Sequence, residues 1–371
     1  MFKIDSVLKR SWQILWNYKV LWIFGFLLAI TSGGSSGGTG GSNFSNMHSR
    51  MNNYSGRLSG WPAQAQSWLQ SNFGPWFATP EKTFTTILWV VLAVVAFAIV
   101  IGLLLALVRY PAEAAVLRMV DDHEQTGSKL SFKQGWHLGW NRRAFRMWVI
   151  DLIMGAPGIV FGIVSAIIGF SFVHRALLGQ LRDVAGAAIV APLVLLFMLL
   201  IVIVLLAVFL GILRQYMVRY AAIEGTSIGE SLSQGWSLFK RHAGPTFLTW
   251  IVLVGVKIVV GIAMILVVFL LIPTYVIMAI PGTIVAAIPG GIAFGITTLI
   301  NPQVWPWIIG ALVAIPFFFL VTLSPLSFVE GWIHIFSTNS WTLAFRQLRA
   351  MEAVPPVLGT PYQPEAPTST M

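Results

Sequence analysis

Five long apolar stretches constrain this chain more than any other feature: Phe84–Val108, Trp148–Val173, Val184–Leu213, Thr246–Leu271 and Trp305–Leu323. A hydrocarbon core about 30 Å thick takes about 20 apolar residues to cross as a helix. In lipid, only helices and closed barrels satisfy every backbone polar group. Two of the stretches carry helix breakers, Gly155, Pro157 and Gly158 in the second and Pro316 in the last. A sixth, Ile14–Ile30, begins through Trp16, Asn17, Tyr18 and Lys19. Lys3, Lys9 and Arg10 before it give it the look of a secretory signal. The apolar run starts far from the first residue, however, and no clean small-x-small site follows, so it reads as a retained span. With 57% hydrophobic and 10% charged residues and a mean hydropathy of +0.80, the fold class expected is all-α, a polytopic transmembrane helix bundle of about six spans.

Residues 272–300 are apolar too, but Pro273, Pro281, Gly282, Pro289, Gly290 and Gly291 interrupt them. Breakers at this density disfavour a straight helix. They predict either a re-entrant segment or a seventh, broken span. Charge placement chooses between these. Of the 23 lysines and arginines, Arg50, Arg57, Lys82, Arg175 and Arg182 fall on one side of the spans, Lys257 falls inside one, and the other seventeen fall on the opposite side. The positive-inside rule then places both termini in the cytoplasm of a multi-pass cell-membrane protein. That even parity favours six spans with 272–300 re-entrant. The same asymmetry accounts for the net charge of +10 without nucleic acid as a partner. No cysteine is present, which removes disulfides and thiolate chemistry.

A short amphipathic phrase recurs: "SFKQGW" at 131–136 and "SLSQGW" at 231–236, each before an apolar stretch. Ile4, Leu8, Trp12 and Leu15 repeat the spacing of Ile228, Leu232, Trp236 and Phe239, one stripe of a helix; Ile333, Trp341 and Phe345 form a weaker copy. "VRY" closes two stretches, at 108–110 and 218–220, with "AAIEG" (221–225) and "FVEG" (328–331) after the fourth and sixth. These echoes divide the chain into an amphipathic helix and first span (1–30), a Gly/Ser-rich extracytoplasmic loop (31–81), a second span with its extension (84–121), second and third repeats (128–213 and 227–323), a terminal helix (328–350) and a Pro-rich disordered tail (351–371). Trp61, Trp68, Trp76 and Phe77 predict that the later part of the loop returns to the membrane surface. The phrase reads as an interfacial helix, with Trp12, Trp136, Trp236 and Trp341 as anchors in the lipid bilayer and basic residues toward anionic lipid headgroups. The competing reading is an element that lines a central site.

Asp151 and Lys257 stand inside apolar stretches, where charge is expensive, and are the candidate intramembrane polar pair. The plainer expectations are an interfacial Asp151 beside Arg142, Arg143 or Arg146, and a Lys257 that snorkels alone. Chemistry is otherwise scarce. His48, His123, His137, His174, His242 and His334 form no i, i+4 pair, and neither a phosphate-binding loop nor a nucleophile elbow occurs. "DDHE" at 121–124 reads as a charge-balanced turn rather than a cation site. Ser324 has no candidate base. No catalytic residue, metal or cofactor is expected, and the chain is read as not an enzyme.

The order "RYAAIEGTSIGESLSQGWSLFKRHAGPTFLTWIVLV" (219–254), with weaker partners at 109–153 and 2–30, resembles uncharacterised polytopic bacterial membrane proteins. It is similar to the membrane region of the glycerophosphoryl diester phosphodiesterase membrane domain family. In that family the hydrolase is a separate soluble barrel, for which nothing here has the length or polarity. The resemblance implies a place in the bacterial plasma membrane and no phosphodiesterase activity. Two functions are carried forward: a non-enzymatic membrane-organising or partner-binding protein, and a small transporter or lipid-handling protein that uses 272–300 and the bundle centre.

Overall fold

The computed structural model describes residues 2–31, 80–177, 186–300 and 305–353. Among them all regular structure is helical: α1 (Ile4–Asn17), α2 (Val20–Thr31), α3 (Pro80–Thr126), α4 (Phe132–Gly139), α5 (Arg142–Leu177), α6 (Gly186–Arg219) continued by a π-helical turn (Tyr220–Glu224), α7 (Ile228–Arg241), α8 (Ala243–Leu270), α9 (Ile272–Ile300), α10 (Trp305–Thr322) and α11 (Ser324–Ala353). Five helices are long and apolar enough to cross a membrane, or up to seven spans if each of two bent pairs counts as one. The Gly/Ser-rich loop, with Trp61, Trp68, Trp76 and Phe77, and the Pro-rich tail fall, apart from their first and last few positions, outside the described residues.

On α3, α5 and α6 burial is confined to one end of the helix among the described residues. On α3, Leu103, Leu104 and Leu107 are exposed, whereas Ala112 to Leu117 are almost fully buried. On α5 the change comes between buried Ile150 and exposed Leu152, and on α6 between exposed Val208 and buried Ile212. Water would not tolerate the exposed apolar halves, but hydrocarbon does. Two adjoining cores fill the packed end. One gathers Tyr110, Met147, Ile212, Tyr216, Leu238 and Trp341; the other gathers Val7, Leu21, Phe24, Val116, Met119 and Ile335. Helix α11 contributes to both.

Small residues and fixed caps hold that end together. Gly135 on α4 rests on the Met119 side chain of α3, and Gly235 on α7 rests on Met217 of α6; a Cβ at either would clash with the methionine. The residue before each of Trp12, Trp136, Trp236 and Trp341 is small and buried: Ser11, Gly135, Gly235 and Ser340. The two copies of the phrase start differently. Ser131 is the N-cap of α4, in a capping box with Gln134, whereas α7 begins a turn earlier, capped by Ser227 and Glu230, and Ser231 is buried in its interior. The exposed Glu230 carboxylate accepts the Ser227 N–H at 2.9 Å, which lowers its pKa. Beyond α6, Gly225 takes a positive φ of 72°. There the last carbonyls accept from α5: Arg143 donates to Ala222 and Ile223 at 3.0 and 2.9 Å, and Arg146 to Thr226 at 2.9 Å. Cations at a helix C-terminus complement its dipole.

Two expectations are corrected. The first span, expected over Ile14–Ile30, is split, because α1 and α2 meet at 100°. The corner falls at Tyr18, whose hydroxyl accepts the Leu130 N–H at 2.6 Å and donates to the Leu130 carbonyl at 3.0 Å. Lys129 caps the Asn17 carbonyl at 2.9 Å. The 12 residues of α2 rise about 18 Å, short of a hydrocarbon core. Residues 272–300, expected to break, instead form the single helix α9 with Pro281 and Pro289 inside it. An unravelled segment would leave backbone groups unsatisfied in lipid, at several kcal/mol each by rough estimate. The glycines serve packing instead: a Cβ on Gly282 would lie 2.5 Å from Thr322 Oγ1, and one on Gly290 would lie 2.7 Å from the Ala314 Cβ of α10. Small residues that let two helices approach this closely are how membrane helices associate.

Candidate functional site

Where the packed end meets the exposed apolar halves, four helices bring charged groups together. Tyr110, Glu113, Asp151 and Arg214 come from α3, α5 and α6, and α11 closes the group from the far side. Tyr110, Glu113 and Arg214 follow an apolar run and Asp151 stands near the start of one, so helical continuation carries each inward. On α6 and the π-helical turn that continues it, Ile212, Leu213, Tyr216, Met217 and Tyr220 extend the apolar stripe at helical spacing, all buried, and Arg214 and Arg219 ride in with it.

Arg214 is the hub. Its Nη2 donates to Glu113 Oε1 and Oε2 at 3.0 and 3.2 Å and to Asp151 Oδ2 at 2.8 Å, and its Nε pairs closely with Asp151 Oδ1. Tyr110 donates its hydroxyl to Asp151 Oδ2 at 2.9 Å. Asp151 was the acidic half of the predicted pair with Lys257. The structure gives it Arg214 and Tyr110 instead, and Lys257 on α8 lies within electrostatic reach of His334. Of the arginines proposed as neighbours of Asp151, Arg143 and Arg146 are engaged with the end of α6.

Beside this group lies Arg219, 2% exposed and held by neutral acceptors: Gln215 Oε1 at 3.0 Å, the Thr338 carbonyl at 3.0 Å and Thr342 Oγ1 at 3.3 Å. Among the described residues it has no salt bridge. His334 Nε2 and both amide atoms of Asn339, all on α11, are buried with no hydrogen-bond partner among the described residues. Arg109 makes no salt bridge among the described residues either, and its guanidinium sits 5.6 Å from the centre of the Tyr110 ring.

A cavity of about 400 Å³ opens beside Arg214. Arg109, Tyr110, Asp151 and Arg214 form its floor; Met154, Pro157, Ile203, Ala207 and Leu210 form apolar walls, with Gly155, Gly158 and Gly211 between them. A Cβ at any of these three glycines would meet no atom within 4 Å, so the space there is open. From Arg214 to Ile203 the cavity follows α6 for eleven residues, about 16 Å, or roughly half of a hydrocarbon core.

The predicted anchors divide. Trp12 is 54% exposed and Trp236 is 39% exposed, the latter under the ammonium of Lys240 at 4.9 Å. Trp136 is partly buried, its ring 6.4 Å from Phe24 and nearly parallel to it. Trp341 is corrected: it is buried, edge-on to Tyr216 at 5.9 Å, because α11 is covered by α6 where it was expected to meet lipid. The members of "DDHE" disperse to separate partners: Asp121 to Arg346, Asp122 to Ser128, His123 to the Ser128 carbonyl and Glu124 to Arg10.

Glu113, Arg214, Arg219 and His334 escaped sequence reasoning. Both arginines read as bases of a cytoplasmic loop, since an apolar run had ended before them. The signal was the helical stripe of "ILRQYMVRY", which continues past Leu213.

Compared with known proteins, the chain matches the family of unknown function DUF7544 over residues 4–344. No curated protein matches it, and no solved structure does. The resemblance to the glycerophosphoryl diester phosphodiesterase membrane domain gains no support from these matches. The match spans nearly the whole chain, the buried charge network included, and the protein belongs to the family of unknown function DUF7544.

Proposed function

We propose that this chain is a non-enzymatic, lipid-handling protein of the bacterial cytoplasmic membrane, with both termini in the cytoplasm, that holds one amphiphile in the cavity between α5 and α6. The observation that carries this reading is the cavity itself, with a charged floor, apolar walls and a depth of about one leaflet. An amphiphile would set its head on Arg109 and Tyr110 and its chain along Met154, Ala207 and Ile203. Helix α9 contributes no residue to this cavity, so in this reading the space between α5 and α6 rather than 272–300 bears the function.

Gly211→Leu tests the reading. The new side chain enters open space and removes a helix-interior glycine that costs about 1 kcal/mol relative to alanine. The variant is expected to fold as stably as the parent and to retain less lipid when both are extracted in mild detergent and their lipids quantified by mass spectrometry. Equal lipid content in variant and parent refutes lipid holding in this cavity, and the membrane-organising reading then takes its place.

Orientation has its own test. Ser231 is fully buried, so Ser233, exposed on the same helix, is the better reporter. A Ser233→Cys variant in intact cells is expected to resist an impermeant maleimide until the membrane is opened. Labelling from outside would reverse the topology.

A further inference from the structure

We infer that the head of the bound amphiphile is a singly charged oxyanion of phosphate, as in an anionic phospholipid, and that Arg109 is its recognition residue. This rests on the lipid-handling reading and narrows it to a headgroup class.

Charge at and behind the cavity floor carries the inference. Arg109, Arg214 and Asp151 line the cavity, with Glu113 and Arg219 buried behind them, three cations against two anions. Both carboxylates are already engaged by Arg214, Asp151 also accepts from Tyr110, and Arg219 is closed in by neutral acceptors. Arg109 is therefore the guanidinium that lines the cavity with no salt bridge among the described residues. Arg109 is partly buried, its near carboxylate Glu113 is already bonded to Arg214, and a cation at an apolar wall gains from a further anion; one monoanion would complete the set.

The head of a zwitterionic lipid brings a cation of its own. Asp151, the carboxylate that would receive it, is occupied, and the Tyr110 ring already carries Arg109. A guanidinium presents forked donors that match two phosphate oxygens, and the ring holds that fork at the cavity floor. The chemistry recognised is an oxyanion of phosphate; whether the acyl chain is needed for capture separates a lipid from free phosphate.

The test uses the full chain, delipidated in detergent and titrated with phosphatidylglycerol, phosphatidylcholine or inorganic phosphate, with binding read by native mass spectrometry. The parent is expected to prefer phosphatidylglycerol over phosphatidylcholine by about tenfold, the weight of one charge-assisted contact. Arg109→Gln should abolish that preference and Arg109→Lys should keep part of it, while Lys19→Gln, at an exposed cation far along the chain, should leave it intact. Displacement of phosphatidylglycerol by millimolar phosphate identifies the head alone as sufficient. No displacement identifies the lipid as the source. Equal binding of the two lipids by the parent, or an unchanged preference in Arg109→Gln, overturns the headgroup inference and leaves the cavity reading standing. Failure of the parent to bind either lipid overturns both.

Discussion

Arg214→Met is expected to cost about 3–5 kcal/mol of stability, the usual penalty for breaking a buried ion pair from one side. The loss comes from what is left behind. Glu113 is 7% exposed and Asp151 is nearly as enclosed, so removing the guanidinium strands two carboxylates beside each other in a poorly solvated place. Methionine supplies similar length and apolar bulk, and the loss therefore measures charge rather than a void. The triple variant Glu113→Gln, Asp151→Asn, Arg214→Met should recover most of it, because replacing a whole buried charge set is often neutral or stabilising. Thermal and denaturant unfolding in one detergent would compare the parent, the single and the triple. If Arg214→Met lies within about 1 kcal/mol of the parent, a typical cost for any point substitution, the group is not the keystone of the packed end. If the triple is no better than the single, packing rather than charge is what Arg214 provides.

That network also marks the boundary of what the sequence reveals. The apolar halves of α3, α5, α6 and α8 are legible because lipid imposes a local demand: about 20 apolar residues in a row. The start of α4 is legible for a similar reason, since Ser131 and Gln134 cap it from three residues apart. Asp151 was legible as a charge out of place, but its partner was not. Arg214 lies 63 residues away and Glu113 lies 101 residues from Arg214, and such a pairing is set by the rotation of packed helices about one another.

The same reasoning covers the misses. Nothing local to Asn17, Tyr18 and Lys19 shows that Leu130 waits to bind the tyrosine and turn the chain by 100°. The Trp341 stripe looks like the other amphipathic phrases, and only the cover of α6 makes it core. Pro281 and Pro289 signal a break, which the opposing face of α10 and the absence of water overrule. The cavity was out of reach as well. Gly155, Gly158 and Gly211 read as softened helix, and their common opening exists only once α5 and α6 are laid side by side.

Gly331→Leu is expected to unseat α2 from α11 at a cost of about 3 kcal/mol or more, at or beyond the top of the range for overpacking. A Cβ on Gly331 would sit 2.7 Å from the Gly25 carbonyl carbon and 2.8 Å from the Phe26 nitrogen, and a Cβ on Gly25 would sit 2.7 Å from the Gly331 carbonyl oxygen. The obstacle to Gly331 is main chain, and the obstacle to Gly25 is main chain together with Ile335 Cγ1 at 2.7 Å; main chain has no rotamer to turn away, so relief requires the two helices to part. Parting them opens the core built on Leu21, Phe24, Leu28 and Ile335. The cost should climb from Gly331→Ala to Val to Leu, and adding Gly25→Ala should worsen it rather than compensate. Gly102→Ala supplies the contrast: a Cβ there meets nothing within 4 Å, on the exposed half of α3. It should be neutral or stabilise by up to about 1 kcal/mol through helix propensity alone. Thermal unfolding of the series would decide the matter. A flat response across Ala, Val and Leu at 331 would mean that α2 is not clamped to α11 through this pair of glycines. A steep one would make the crossing the second fixed point of the packed end, independent of Arg214, because it works by contact and carries no charge.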